Sequence, residues 1–231
     1  MTGEPRSSLR PDPFKSVAPD YEGWFVDPLG AFVDRLELEA LDAILPVPGD
    51  GIVVEVGAGT GHVSRHLAGL GFRVLALEPS RAMRSEGRAR NAGSGVAWAA
   101  ALAEALPLPD TSTEGVLFFT TLEFVASPNG AIAEALRVLR PGGWLAIAFL
   151  DADGAWTPLY RSFAVQGRAP WTSAHFFRQP QLEALVGSPS DQKASAVHLP
   201  PGSRAPFAEA ELAAARTGKD PALRILLWRK P

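Results

Sequence analysis

Residues 53–61 read VVEVGAGTG, and this stretch decides the fold of the chain. A mostly apolar strand runs into three glycines at alternate positions, and a helical pattern follows the third. A strand, a glycine-rich turn and a helix in this order form a cradle for a nucleotide-type cofactor. Glycine has no Cβ, so the turn can be sharp and its backbone can come close to a ligand. The free N–H groups at the start of the helix then attract negative charge.

The spacing of the glycines indicates which cofactor the cradle holds. A dinucleotide-binding turn has the pattern G-x-G-x-x-G, and its third glycine would fall at position 62, where this chain has His62. Here the third glycine is Gly61, and Glu55 stands two residues before the first one. The pattern E-x-G-x-G-x-G resembles the first motif of the class I S-adenosylmethionine (SAM) dependent methyltransferases. An NAD(P)-dependent oxidoreductase stays as an alternative that His62 disfavours.

Strand and helix patterns alternate after the glycine turn, and the strands are nearly all apolar, which predicts a parallel sheet covered on both faces. The predicted strands are 52–56, 73–78, 96–100, 115–119, 144–150, 194–199 and 223–228, and the predicted helices are 27–44, 61–70, 80–91, 127–139, 180–186 and 205–215. The two last strands read as an antiparallel pair. The resemblance implies a Rossmann-like α/β fold with a mostly parallel seven-stranded sheet, a final antiparallel strand and helices on both faces.

Two further segments resemble the same family. Residues 134–143, EALRVLRPGG, look like the E-x-x-R-V-L-K-P-G-G signature of the UbiE-like (type 11) methyltransferases, in which Arg137 makes a structural contact. Residues 103–110, AEALPLPD, resemble the family segment D-A-E-x-L-P-F-x-D, which recognises the adenine of the cofactor. Leu102 stands where the family often has an aspartate, and Glu114 departs from the usual F-D-x-V. These departures leave a non-catalytic SAM-binding or regulatory protein as a second alternative.

The composition limits the function classes. The 231 residues, 46% of them hydrophobic, are enough for one domain with an appended cap. A net charge of −3 gives no general attraction to nucleic acid. The chain has no cysteine, which rules out disulfides, thiolate metal sites and cysteine nucleophiles within it and fits a cytoplasmic enzyme. The longest apolar run, 144–150, is too short to span a membrane.

The resemblance implies SAM as the cofactor and S-adenosylhomocysteine as its product. Glu78 closes the second predicted strand, where an acid can accept hydrogen bonds from both ribose hydroxyls, although a carboxylate exposed to water is the alternative. Met83 fits either an adenine contact or ordinary core packing. The predicted cofactor-binding residues are Glu55, Gly57, Ala58, Gly59, Gly61, Glu78, Pro79, Met83, Ala103, Glu104, Thr120 and Thr121.

The family transfers a methyl group to an acceptor by in-line displacement, and here the acceptor is expected to be a small molecule. The activated sulfonium needs no protein nucleophile, so positioning and desolvation can supply most of the catalysis. A hydroxyl or a protonated amine acceptor would need a general base. His175 and Glu123 are the candidates and Tyr21 is a weaker one. Glu123 could equally be a solvated loop carboxylate.

Two other side-chain patterns favour ordinary explanations. His62 and His66 lie four residues apart on one predicted helix, but no third ligand completes a metal site. His62 is expected near the cofactor at the start of the helix. Arg81, Arg84 and Arg88 form a stripe that is typical of a solvated helix face, since no aromatic platform for nucleic acid accompanies them.

Aromatic residues flank the predicted sheet on both sides. Residues 1–20 contain four prolines and no apolar core, which predicts a disordered tail in place of a signal peptide, followed by a single domain over 21–231. Within this domain the two flanks are predicted to cap the acceptor site, although they could simply cover the edge of the sheet. The flanking aromatic residues are Tyr21, Trp24, Phe25, Trp156, Tyr160, Trp171, Phe176 and Phe177.

Overall fold

A seven-stranded sheet lies at the centre of the protein in a computed structural model that describes residues 12–231. The strands are β1 (Ile52–Val56), β2 (Arg73–Leu77), β3 (Ala97–Ala99), β4 (Thr113–Phe119), β5 (Leu139–Leu150), β6 (Gln192–Ala196) and β7 (Leu223–Arg229). Their order across the sheet is β3-β2-β1-β4-β5-β7-β6. β1 to β5 pair in parallel, and β7 runs antiparallel to both of its neighbours. The predicted Rossmann-like sheet is confirmed.

Helices cover both faces of this sheet. The helices within the described residues are α1 (Gly23–Val26), α2 (Pro28–Asp42), α3 (His62–Gly69), α4 (Arg81–Arg90), α5 (Pro128–Val138), α6 (Thr157–Val165), α7 (Gln179–Val186) and α8 (Phe207–Arg216), with 3-10 turns at Ala18–Asp20, Leu122–Phe124 and Trp171–Ser173. Apolar residues of α5 and α7 pack on one face of the sheet, and those of α2 and α3 pack on the other. Asp27 caps α2 by accepting from the N–H groups of Leu29 and Gly30, as its sequence predicts.

A third apolar cluster joins segments that are far apart in the sequence. Val33 of α2, Trp156 before α6 and Leu199 beyond β6 are all buried in it. Phe207 of α8 adds its ring against Phe32, with ring centroids 5.5 Å apart. This cluster forms a cap beside the sheet, and it includes the α6 helix that the aromatic sequence after residue 151 does not reveal.

The strand predicted at 194–199 ends early, at Ala196. Val197 has a φ of +69°, which takes the chain out of the extended conformation. The N–H groups of His198 and Leu199 then donate to the carboxylate of Glu211 at 2.8 Å rather than to a neighbouring strand. A carboxylate on α8 therefore ends the ladder, and the strand propensity of this segment does not show that contact.

Residues 12–20 are folded, and the disordered tail predicted for them is wrong. Ala18 is buried, and its 3-10 turn lies against α4. Asp12 accepts a hydrogen bond from the hydroxyl of Ser80 at 2.7 Å. The Phe14 ring packs edge-on against Phe124, with 5.2 Å between centroids. These partners come from distant parts of the chain, so composition alone could not identify them. Residues 1–11 of the predicted tail lie outside the described residues.

Trp98 and Asn91 pack closely against Gly61, the last glycine of the turn. It has a φ of +75°, and a Cβ there would lie 2.5 Å from the Trp98 ring and 2.7 Å from the side-chain nitrogen of Asn91. At Gly69, the last residue of α3, a Cβ would have no atom within 4 Å, and the backbone φ is not positive. The two glycines therefore make a matched pair for a stability test.

We expect Gly61→Ala to lower the free energy of unfolding by about 2–4 kcal/mol, because overpacking adds to the cost of the left-handed conformation. Gly69→Ala should be neutral or slightly stabilising, because alanine favours the helix. Urea titration followed by circular dichroism measures both. Equal effects of the two substitutions would contradict the packing described at Gly61.

Candidate active site

The glycine turn that follows β1 is held in one shape by its backbone. Gly57, Gly59 and Gly61 have φ values of +74°, +56° and +75°, which residues with a side chain rarely adopt. A Cβ at Gly57 would lie 2.3 Å from the Thr121 side chain, and one at Gly59 would lie 3.4 Å from the Met83 methyl group. The turn thus lies between the end of β4 and the first turn of α4.

Glu78 ties this turn to the end of β2. Its two carboxylate oxygens accept from the N–H of Gly59 at 2.8 Å and from the N–H of Ser80 at 2.7 Å. The side chain is only 5% exposed, so the alternative of a carboxylate in water is wrong. Burial raises the pKa of Glu78, although the two backbone donors oppose that shift. Each oxygen keeps a further lone pair that a ligand hydroxyl can use.

Glu55, in β1, is bonded to the first helix after the turn. Its carboxylate accepts a hydrogen bond from the hydroxyl of Ser64 on α3, and the residue is 3% exposed. Burial raises the pKa of Glu55 to about 8. One oxygen of Glu55 therefore supports the position of α3.

The predicted adenine-side residues have different environments. Met83 and Ala103 are buried, whereas Pro79 is exposed. The Glu104 carboxylate accepts from two backbone N–H groups at the start of α5, Ala126 and Ser127, both at 2.9 Å. Glu104 thus stabilises the loop before α5, and the structure does not direct it to a ligand.

Thr120 and Thr121 follow β4 at the same edge of the sheet as the glycine turn. The N–H of Thr120 donates to the carbonyl of Ala148 at 2.8 Å, and its φ of +47° turns the chain sharply. The Thr121 side chain lies over Gly57, and Ala58 beside it is buried. These residues close the cradle on the side of β4.

Residues 12–26, here named the strap, lie across this edge of the sheet. Glu22 accepts a hydrogen bond from the hydroxyl of Thr60 in the glycine turn, and Arg65 donates to its other oxygen at 3.3 Å. The Phe25 ring stacks on His62, with 3.8 Å between centroids and 7° between planes. The sequence predicts aromatic residues near the site, but it gives no signal for these particular pairings.

Tyr21 lies within the strap, close to acidic groups. Burial and the charges of Glu78 and Glu55 raise its pKa above the ordinary range of tyrosine. The phenol therefore keeps its proton at neutral pH. Tyr21 can donate a hydrogen bond here, but it is a poor candidate for the general base that its position suggested.

Glu123, which follows β4, is completely buried. One carboxylate oxygen accepts from the N–H of Leu150 at 2.7 Å, and the other has no partner among residues 12–231. Burial raises the pKa of Glu123 to about 7. The alternative of a solvated loop carboxylate is wrong, because Leu122 and Glu123 of the 3-10 turn are buried. This turn lies between β5 and residues 156–177, here named the aromatic insert, whose Trp171 packs against Phe124.

His175 reaches the site only through its backbone. Its N–H donates to the carbonyl of Glu123 at 2.8 Å, whereas the residue is exposed to solvent. Among the described residues, no protein atom holds the His175 ring in the buried site. Of the two main candidates for the general base, Glu123 is thus enclosed and His175 is not.

Stacked aromatic rings surround this part of the site. Tyr160 lies parallel to Trp171 at 4.2 Å between centroids and parallel to Phe176 at 6.2 Å. Burial, followed by the charges of Glu37 and Glu123, raises the pKa of Tyr160 above the ordinary range. These rings, predicted as part of the flanks, are therefore packed against one another.

Two acidic residues of α2 were missed by sequence reasoning. Burial and the charge of Asp34 raise the pKa of Glu37 to about 8. Asp34 in turn lies 2.8 Å from Nε2 of His62. Asp34 and Glu37 are three residues apart on α2, which places both on one face of the helix. This spacing is the feature of the sequence that could have identified them.

Other expectations concern groups away from the cradle. Arg137 holds the loop before β4 through Glu134 and the carbonyls of Leu106 and Leu108, which is the structural contact that its sequence motif predicts.

His66 pairs with Asp42 at 2.7 Å rather than sharing a ligand with His62. Residues 12–231 contain no cluster of potential metal ligands. No helix in this part of the chain has the length and apolarity needed to cross a membrane.

Comparison with known proteins agrees with this geometry. Residues 54–147 match a family model described as a methyltransferase domain, of type 11. A SAM-dependent methyltransferase of Thermotoga maritima, described as a possible histamine N-methyltransferase, superposes with a TM-score of 0.75 at 25% identity over 95% of this chain and 99% of that one. The matched part of the chain belongs to the class I SAM-dependent methyltransferases. The oxidoreductase alternative is therefore wrong.

Other methyltransferases and relatives extend the likeness. A demethylmenaquinone methyltransferase of Renibacterium salmoninarum is 37% identical over 62% of each chain. An uncharacterized protein of Mycobacterium tuberculosis is 32% identical over 79% of this chain and 62% of that protein. The chain thus spans less than two thirds of the length of these curated relatives. A Mesorhizobium loti methyltransferase, 18% identical over 84% of this chain and 98% of that one, shares the fold with a TM-score of 0.66.

The buried carboxyl groups make stability depend on pH. Glu55 and Glu123 have folded pKa values of about 8 and about 7, above the unfolded value of 4.5, so both bind protons more tightly in the folded chain. Their stabilising contribution is complete below pH 4.5 and is lost as the pH rises to 8. We expect the free energy of unfolding to fall between pH 5 and pH 8, with Glu123 contributing on the order of 2–3 kcal/mol.

Urea titrations at several pH values test this dependence. Glu123→Gln should flatten the fall, whereas Glu209→Gln on the exposed face of α8 should leave it unchanged. An identical slope in the Glu123→Gln variant would mean that this carboxyl group titrates normally in the folded protein.

Proposed function

We propose that this protein uses SAM to methylate a small-molecule acceptor and releases S-adenosylhomocysteine. The observation that carries the proposal is the positive-φ glycine turn tied by Glu78, at 2.8 Å from the N–H of Gly59, inside a methyltransferase domain. The geometry suits this cofactor because a buried carboxylate with spare lone pairs stands beside a turn whose three glycines carry no side chain. The ribose hydroxyls of SAM match such an acceptor.

The chain's own residues would hold the cofactor from three sides. Glu78 accepts from the ribose, Met83 offers an apolar wall beside Gly59, and Tyr21 donates from the strap. The positively charged end of α3 faces the turn and suits the carboxylate of the methionine part. Glu55 and Glu104 are outside this set, since their carboxylates bind Ser64 and the start of α5.

The acceptor would lie between Glu123 and the aromatic insert. SAM supplies an activated methyl group, so the protein needs no nucleophile of its own. Glu123 is the residue that can take a proton from the acceptor, because one of its oxygens has no partner among residues 12–231. The strap and the insert exclude water from the reacting groups.

The likeness to relatives does not settle the acceptor. One relative is a demethylmenaquinone methyltransferase, and one structural neighbour is described as a possible histamine N-methyltransferase. These names refer to a quinone and to an amine, so they point to different acceptor classes. The other alternative is a protein that binds SAM without catalysis, which Leu102 favours, since it is 60% exposed where the family often has an aspartate.

We expect SAM and S-adenosylhomocysteine to bind with micromolar affinity and NAD to bind far more weakly. Glu78→Ala should cost on the order of 1.5–3 kcal/mol of cofactor affinity, because it removes a charged acceptor from the site. Glu86→Ala on the exposed side of α4 is the matched control. Isothermal calorimetry gives the affinities, and circular dichroism checks that each variant is folded. Tight NAD binding without a response to SAM would refute the assignment.

We also expect the strap to slow the release of the cofactor. Phe25→Ala removes the stack on His62 and should raise the dissociation rate of S-adenosylhomocysteine by about tenfold, which corresponds to the loss of an aromatic contact. Val26, its neighbour, is 81% exposed, so Val26→Ala should leave this rate unchanged. Stopped-flow tryptophan fluorescence measures the rate. Equal rates in the two variants would show that the strap does not close over the cofactor.

A further inference from the structure

The Glu22 carboxylate of the strap is bonded to two donors at the glycine turn. One of its oxygens accepts from the hydroxyl of Thr60, and the other accepts from Arg65 on α3 at 3.3 Å. Thr60 is only 1% exposed, and the side chain of Glu22 is 16% exposed. A buried hydroxyl and a guanidinium that donate to one carboxylate form a site whose chemistry is complementary to a carboxylate.

Arg65 is directed toward this point by other contacts as well. Its guanidinium donates to the carbonyl of Thr60 at 3.4 Å and lies 3.2 Å from Nδ1 of His62. The other ring nitrogen of His62 lies 2.8 Å from Asp34, which fixes the imidazole in turn. The guanidinium therefore keeps its direction toward the glycine turn when a different carboxylate takes the place of Glu22.

The strap has attachments other than Glu22. Asp12 accepts from the hydroxyl of Ser80 at 2.7 Å near one end of the strap. Near the other end, the Trp24 ring meets Trp156 edge-on, with 5.9 Å between centroids. The side chain of Glu22 can therefore leave its two donors while the strap stays in place.

The same donors suit one part of the proposed cofactor. SAM and S-adenosylhomocysteine end in an amino acid, whose carboxylate is an ionised acceptor like that of Glu22. Thr60 belongs to the glycine turn, and Arg65 lies one turn into the helix that follows it. The Thr60 hydroxyl has a single proton, so it can donate to one carboxylate at a time. A ligand carboxylate at this place therefore has to displace Glu22.

We propose that Thr60 and Arg65 bind the carboxylate at the amino-acid end of the cofactor, and that Glu22 occupies these donors until the cofactor arrives. This assignment rests on the proposed function and names the residues that recognise one end of its cofactor. The exchange replaces the bonds of Glu22 by equivalent bonds to the ligand, while Glu22 turns toward water. Glu22 therefore stabilises the free protein and competes with the cofactor.

Calorimetry with two probes tests the competition. S-adenosylhomocysteine carries the amino-acid end, whereas 5′-methylthioadenosine has the same nucleoside and sulfur without it. Glu22→Gln should raise the affinity for S-adenosylhomocysteine by about fivefold, because a neutral amide binds the guanidinium less strongly. The affinity for 5′-methylthioadenosine should stay unchanged. Glu39→Gln removes the charge from an exposed ion pair on α2 and should change neither affinity.

Urea titration separates this competition from a purely structural contact. In the exchange, Glu22→Gln lowers the stability of the free protein by as much as it strengthens binding. The parent and the variant should therefore unfold at the same urea concentration when both are saturated with equal S-adenosylhomocysteine. A contact that persists in the complex would instead destabilise both forms equally and leave the affinity unchanged, which would overturn the exchange. Glu22→Asp, whose carboxylate is one methylene shorter, is a second variant with the same expected direction.

Arg65→Gln tests the binding site itself. Arg65 binds a carboxylate both before and after the exchange, so this substitution alone should have little effect on the affinity for S-adenosylhomocysteine. In the Glu22→Gln background the free site holds no carboxylate, and Arg65→Gln should then lower this affinity by about fivefold. Equal effects in the two backgrounds would overturn the assignment of Arg65.

The remaining outcomes distinguish this assignment from the proposed function. Failure of the parent protein to bind SAM or S-adenosylhomocysteine overturns the proposed function, and the exchange with it. Normal cofactor binding that becomes weaker in Glu22→Gln would mean that Glu22 stays in place and binds the ammonium group of the cofactor. That result overturns the exchange alone.

Discussion

One buried carboxylate, that of Glu78, accepts from the backbone on both sides of the cradle, and the geometry of the site depends on it. Its bonds to Gly59 and Ser80 fix the glycine turn of β1 against the start of α4. Ser80 in turn donates its hydroxyl to Asp12, so the strap is attached to the same point. Glu78 and Ser80 together therefore join the glycine turn, the start of α4 and the strap by hydrogen bonds.

The sheet and the turn follow from local rules, and this is why the sequence predicts them well. Apolar strands that alternate with helices permit few arrangements, and a glycine at each positive φ fixes the turn. Glu123 shows the limit of such rules. Its neighbours in the sequence describe a loop, but its burial comes from Leu150 and from the insert, which no local pattern records. Glu55 and Glu104 show a similar limit, since motif position does not say that their carboxylates accept from Ser64 and from the segment before α5.

The sheet and the cap contribute to different parts of the proposed site. The sheet edge carries the glycine turn and Glu78, and the sheet has the fold of known SAM-dependent methyltransferases. The cap is built from α2, the insert around α6 and the α8 segment, which meet in one apolar cluster. In the proposed function, Glu37 of α2 and the rings of the insert lie on the acceptor side. Substrate choice can therefore change through the cap while the cradle stays constant.

The pairing of β5 with β7 has a consequence for the growing chain on the ribosome. β5 is complete at Leu150, yet its open side gains a partner only when residues 223–229 are made. The apolar face of α2 also stays incompletely covered until Ala222, a buried member of its cluster, has been made. A half-made chain thus carries an unpaired strand edge and an uncovered helix, which are surfaces that promote aggregation. The sheet can therefore close over β5 only after residues 223–229 have been made.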